Sequence, residues 1–124
     1  MDGVDIVLYN RVCSYDNNWE AFRELMNNPK IVMDIDDDWV LPPNHLLYDQ
    51  YQELAPRIEN NLRTADLVTV TNELLASKVR PFNKNVEVIP NGIPFGRNQF
   101  TDERRTGERV SIFWAGSVTH EHDI

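Results

Sequence analysis

Ile31-Val32-Met33-Asp34-Ile35-Asp36-Asp37-Asp38 runs from an apolar stretch straight into three consecutive carboxylates. The first five residues, rich in β-branched side chains, predict a strand. The acidic cluster then stands at that strand's carboxyl end. Upstream, Asn27-Asn28-Pro29 ends a helix in which Trp19, Phe22, Leu25 and Met26 recur at helical spacing, and Ser14-Tyr15-Asp16 supplies candidate N-caps. Earlier still, Val4-Asp5-Ile6-Val7-Leu8-Tyr9 fits a strand buried on both faces of a parallel sheet.

Downstream of the acidic cluster, Pro42-Pro43 marks a loop. Leu47, Tyr51, Leu54, Ile58, Leu62 and Ala65 then lay an apolar stripe along one helical face. Pro56 interrupts the stripe, which implies either a kink or a new helix starting near Ala55. Leu67-Val68-Thr69-Val70 is a third strand. Thr71 or Asn72 caps a short helix from Glu73 to Arg80, which Pro81 and Asn83-Lys84-Asn85 end. Val86-Glu87-Val88-Ile89 is a fourth strand, closed by Pro90-Asn91-Gly92, where Asn and Gly suit a turn. Residues 93–108 are polar and turn-rich, as a linker is. Arg109-Val110-Ser111-Ile112-Phe113-Trp114 is a fifth strand, followed by a tight turn at Ala115-Gly116-Ser117.

Strands that alternate with helices imply a parallel sheet with right-handed crossovers. The fold class is therefore α/β: a Rossmann-like parallel sheet of about four strands with flanking helices, plus the first strand of a second Rossmann-like domain. Residues 1–92 form the first domain, 93–108 an interdomain linker and 109–124 the start of the second. The last strand, isolated after a linker, reads as a βα unit cut before its helix. The expectation is a piece of something longer, or a chain that borrows a partner surface.

Composition narrows the function classes. The 124 residues are 41% apolar and 26% charged, the balance of a globular rather than a disordered chain. A net charge of -8 repels phosphates, which argues against sequence-independent nucleic-acid binding. One cysteine, Cys13, excludes an internal disulfide framework and a cysteine-rich zinc module; it reads as a small buried hydrophobe. No apolar run approaches a membrane span, and no signal peptide opens the chain. A cytoplasmic setting is the expectation. No G-x-G-x-x-G follows a predicted strand, which counts against a dinucleotide binder.

Several segments match, in order, those of GT-B-fold glycosyltransferases of the family 4, group 1 type. Met33-Asp34-Ile35-Asp36-Asp37-Asp38-Trp39 resembles the acidic loop closing a late strand of their N-terminal domain. Thr64-Ala65-Asp66-Leu67-Val68-Thr69-Val70-Thr71-Asn72 resembles their helix-to-strand segment, and Val86-Glu87-Val88-Ile89-Pro90-Asn91-Gly92-Ile93 their strand and turn before the linker. Ile112-Phe113-Trp114-Ala115-Gly116-Ser117 with Asp123 resembles the first strand of their C-terminal domain. The resemblance implies transfer of a sugar from a nucleotide-diphosphate sugar to a hydroxyl on a glycan or small acceptor, usually without a metal. The donor is a substrate, so no cofactor is implied. The family's glycine-rich loop, its E-x7-E region and its basic diphosphate-binding pair have no counterpart here. This chain is therefore expected to be inactive alone. A non-catalytic interaction module of the same descent, or another Rossmann-type nucleotide-binding protein, are the alternatives.

Candidate site residues follow from position. Asp36 and Asp37 lie where open α/β sheets bind ligands, outside the carboxyl ends of the strands. A carboxylate there accepts a hydroxyl proton if burial raises its pKa; otherwise it caps or solvates a turn. Asp34 and Asp36 also read as a D-x-D metal pair, a reading the rest of the chain does not support. Asn91 is a candidate cleft residue. Gly116 and Ser117 are candidates for the diphosphate, through backbone N–H groups and a hydroxyl. His120, His122 and Asp123 read as polar residues opening a helix rather than as zinc ligands. Trp39 is a packing residue, or a ring against which a sugar stacks. Unpaired sheet edges suggest self-association.

Overall fold

A computed structural model of the chain describes residues 3–13, 18–92 and 96. Seven elements follow one another: β1 (Ile6–Asn10), α1 (Trp19–Leu25), β2 (Lys30–Ile35), α2 (Tyr48–Thr64), β3 (Leu67–Val70), α3 (Glu73–Val79) and β4 (Val86–Val88). The strands form one sheet in the order β1-β2-β3-β4, and every pairing is parallel. The fold is α/β and Rossmann-like, as the alternating pattern requires. Contacts gather Met1–Pro90 into one compact unit and Asn91–Ile124 into a second. The linker expected at 93–108 and the terminal strand expected at 109–114 lie outside the described residues, Gly96 apart.

Sequential strand order has a consequence for the layers. Right-handed crossovers that always step in the same direction place every helix on the same face. Register shows it. Val7, Tyr9, Ile31, Met33, Ile35, Val68, Val70, Val86 and Val88 alternate onto one side and pack in a single core with Trp19 and Phe22 of α1, Ile58 and Leu62 of α2, and Leu75 and Val79 of α3. Ile6, Leu8, Val32, Asp34, Leu67, Thr69 and Glu87 alternate onto the other. Ile6 is 62% exposed, Leu8 66% and Ile89, just past β4, 60%.

This corrects the expectation that β1 is buried on both faces. β1 is an edge strand, and its second face is open. Parallel sheets in globular proteins are usually covered on both faces, and the apolar run of β1 suits a covered strand. Its burial instead alternates, because the described helices all lie behind one face.

Local chemistry explains the element ends. Asn18, rather than the residues at 14–16, caps α1: its side-chain oxygen accepts from Ala21 N–H at 3.2 Å. Asn72, not Thr71, caps α3, accepting from Leu75 N–H at 2.9 Å. Asn27 and Asn28 both take positive φ after α1, the left-handed exit that asparagine tolerates. Asn83, 9% exposed, finishes α2 from a distance by donating to the carbonyls of Leu62 and Ala65, each at 2.8 Å.

Pro56 neither ends α2 nor restarts it at Ala55; a single helix runs through it. Pro56 and Gln52 both lie on the exposed side of the helix, where solvent can take the place of the N–H that the Gln52 carbonyl lacks. The interior proline still costs roughly 3 kcal/mol of helix stability, partly offset by about 1 kcal/mol of restricted unfolded chain. Pro56→Ala is therefore expected to stabilise the fold by about 2 kcal/mol. Urea unfolding checks it: an unchanged or lower midpoint contradicts the account.

Candidate functional site

Two buried residues frame the acidic loop. Ile35, fully buried, ends β2, and Trp39, 2% exposed, returns the chain to the core edge-on to Phe82 at 5.9 Å between ring centroids. The three residues between these anchors are held outside the carboxyl end of the sheet. Asp36 and Asp37 are exposed and Asp38 is half-buried. Thr71 at the end of β3 donates its hydroxyl to the Asp36 carbonyl at 3.4 Å, and Asp38 accepts the N–H of Val40 at 3.0 Å. Trp39 is thus a packing residue and offers no ring for a sugar.

A second strand end supplies a cation. Arg11 follows β1, and its guanidinium donates to Asp36 at 3.1 Å, to Asp37 at 2.5 Å and to the Tyr51 hydroxyl of α2. Asn10 adds bonds to the Asp34 carbonyl at 3.2 Å and to Asp36 at 3.5 Å. From the other side, Lys78 of α3 pairs with Asp38. Two cations therefore face three carboxylates, and the loop carries about one net negative charge rather than three.

Partial burial pushes the Asp36 carboxyl up. Hydrogen bonds from Arg11, from its own backbone and from Asn10, with the Arg11 charge, outweigh burial and hold it below the ordinary carboxylate range. Arg11 shows the reciprocal effect: burial lowers its pKa, but Asp36, Tyr51 and Asp37 raise it further. Asp36 is ionised at neutral pH and acts as a hydrogen-bond acceptor. The burial that would make it a strong base is not present, since its side chain is 45% exposed.

Between the acidic loop and α3 lies an open cleft of 190 Å³. Asp36, Asp37 and Asp38 form one wall; Asn72, Leu74, Leu75 and Lys78 form the other. Ligand pockets commonly measure roughly 300–1,000 Å³, so this cleft holds part of a ligand. Its walls combine carboxylate acceptors with an exposed leucine, Leu74.

The structure places the sequence candidates unevenly. Asp36 and Asp37 come together, joined by Arg11. The D-x-D pair does not converge: Asp34 accepts the Thr69 hydroxyl at 2.5 Å on the open face of the sheet, while Asp36 turns to Arg11 and Asn10. Among the described residues no three acidic, histidine or cysteine side chains gather as a metal site would need. Asn91 is exposed in the coil after β4 and belongs to the second unit. Gly116, Ser117, His120, His122 and Asp123 lie outside the described residues. Cys13 is half-buried against the core. No described helix is long and apolar enough to cross a membrane.

Neither a protein-family model, nor a curated protein, nor a solved structure matches the chain. The site thus stands on its own geometry. Sequence reading passed over Arg11, Tyr51 and Lys78. Tyr51 was legible only as part of the apolar stripe, and a lone arginine or lysine carries no signal until the fold brings carboxylates to it.

Proposed function

We propose that this chain carries the acceptor side of a nucleotide-sugar-dependent glycosyltransferase of the GT-B type. The observation that supports it is the carboxylate pair Asp36–Asp37, fixed by Arg11 beside an open cleft at the carboxyl end of a parallel sheet. Open α/β sheets bind ligands there, and carboxylate oxygens are strong acceptors for sugar hydroxyls. The order of the four resembling segments points the same way. In this reading Asp36 and Asp37 orient the acceptor hydroxyl. In the family it resembles, the E-x7-E region holds the donor sugar and ribose and a basic pair neutralises the diphosphate; this sequence has no counterpart of either. Asn91, Gly116 and Ser117 remain candidates for the cleft and the diphosphate.

The open apolar face favours a second reading, a non-catalytic module that associates through Ile6, Leu8 and Ile89. One experiment separates the two. Amide spectra recorded with millimolar monosaccharides are expected to shift residues 36–38 and 72–75, and Asp37→Asn is expected to abolish the shifts. Shifts confined to residues 6–8 and 89 on changing protein concentration, with none from any sugar, would replace the transferase reading with the module.

A further inference from the structure

Arg11 is held in a conformation that arginine rarely takes. Its φ is 50°, in the left-handed region, where a side chain with a Cβ is strained by about 1–3 kcal/mol unless its surroundings compel it. Here they do. Its N–H donates to the Asp34 carbonyl at 3.4 Å, and its carbonyl accepts from the Asn61 amide at 3.0 Å. Asn61 is fully buried and in turn accepts the Trp19 indole N–H at 3.0 Å. The peptide of Arg11 is thus fixed by β2, by α2 and, through Asn61, by α1. Continued extension of β1 would carry residue 11 to the helix-covered side, since Tyr9 faces that way. The left-handed turn instead brings the guanidinium onto the carboxyl end of β2, against Tyr51, Asp36 and Asp37.

We infer that Arg11 is a positioning residue, whose strained backbone delivers a guanidinium that fixes the rotamers of Asp36 and Asp37 at the edge of the cleft. Its two bonds to them use Asp36 Oδ1 and Asp37 Oδ2. Asp36 accepts in addition from its own backbone N–H and from Asn10, while Asp37, its side chain 70% exposed, turns its remaining surface to solvent. Both bonds come from Nη2, while Nη1 donates to Tyr51; the planar guanidinium thereby fixes the directions of its N–H bonds, which a lysine ammonium, a point charge on a flexible stem, does not. The positioning stands without a ligand; only its use for sugar hydroxyls rests on the transferase reading.

Carboxyl carbon shifts and side-chain couplings of Asp36 and Asp37, followed against pH, test it. In the wild-type chain each aspartate is expected to show couplings of one rotamer, and Asp36 to titrate below the ordinary range. Arg11→Met is expected to average the couplings of both and move the Asp36 midpoint upward. Arg11→Lys is expected to keep part of the lowered midpoint but lose the single rotamer of at least one aspartate. That split between charge and geometry is a readout that a merely structural arginine would not move. Should Arg11→Met fail to fold, Arg11→Lys carries the same test. Couplings and midpoints unchanged in the folded variants overturn the inference. Couplings that average while no sugar binds the wild type uphold the positioning and sink the transferase reading; sugar binding with unchanged couplings does the reverse.

Discussion

Asp66→Ala is expected to destabilise the fold by about 3 kcal/mol. Asp66 sits where β3 begins, at the end of the sheet opposite the acidic loop. One carboxylate oxygen accepts the N–H of Ile31 at 2.8 Å and the Arg23 guanidinium at 2.8 Å; the other lies 3.5 Å from Lys30. Its own N–H donates to the Ile31 carbonyl at 2.8 Å, so β2 and α1 are fastened to β3 by one residue. Ile31 is fully buried. Truncation leaves its amide unpaired, worth about 1–3 kcal/mol, and removes a charge-assisted bond from Arg23, worth about 1.5–3. Lys30, whose side chain is 72% exposed, adds little. Asp66→Asn keeps an acceptor for Ile31 and is expected to cost only about half as much. Urea midpoints of the two variants decide the matter; equal costs would show that the backbone bond contributes nothing.

The same residue sets a pH dependence. Burial pushes the Asp66 carboxyl up, but the Ile31 N–H, the Arg23 bond and charge, and Lys30 outweigh it and hold it below the ordinary range. A carboxyl lowered in the folded state stabilises the fold fully above its unfolded pKa, about 3.9. That contribution is lost as pH falls through the lowered folded value. The gap between wild type and Asp66→Ala should therefore be constant near neutrality and narrow below about pH 4. A gap that stays constant down to acid pH would mean the carboxylate's charge plays no part.

The contrast between the two ends of the sheet shows what a sequence can disclose. Leu67–Val70 was readable to the residue because β-branched side chains stand between a helix end and an asparagine cap. The order of strands and helices followed from the same kind of local signal. The open face of β1 did not, because an apolar run records that side chains seek cover without recording on which side the helices fall. That depends on the strand order, which is a property of the whole sheet. Pro56 left a kink and a new helix equally open for a related reason: its effect depends on whether the orphaned carbonyl meets water or core. At the site, Asp36 and Asp37 were visible as a charge cluster after a strand. Arg11 was not, because positive φ is advertised by glycine and asparagine, and an arginine reaches it only under tertiary constraint.

That constraint makes the second large effect. Asn61→Leu is expected to destabilise the fold by about 3 kcal/mol, although it replaces a polar side chain in a buried place by an apolar one of the same branching and somewhat larger volume. Asn61 lies on the inner side of α2 between Ile58 and Leu62, and all three are essentially inaccessible to water. It accepts from the Trp19 indole at 3.0 Å and donates to the Arg11 carbonyl at 3.0 Å. Leucine leaves no cavity, so the loss comes from an indole N–H and a carbonyl deprived of partners, each worth about 1–3 kcal/mol. It also removes the bond that holds Arg11 left-handed, which should let the backbone relax and recover part of the strain energy. The measurement is a double-mutant cycle with Trp19→Phe, which deletes the indole N–H while keeping an aromatic ring near Tyr9, 4.9 Å away. If the bond contributes as described, Asn61→Leu costs about 1–2 kcal/mol less in the Trp19→Phe background than in the wild type. Strict additivity would mean that the indole bond contributes nothing to the cost of Asn61→Leu, which would then arise from the other bonds of Asn61, that to the Arg11 carbonyl among them.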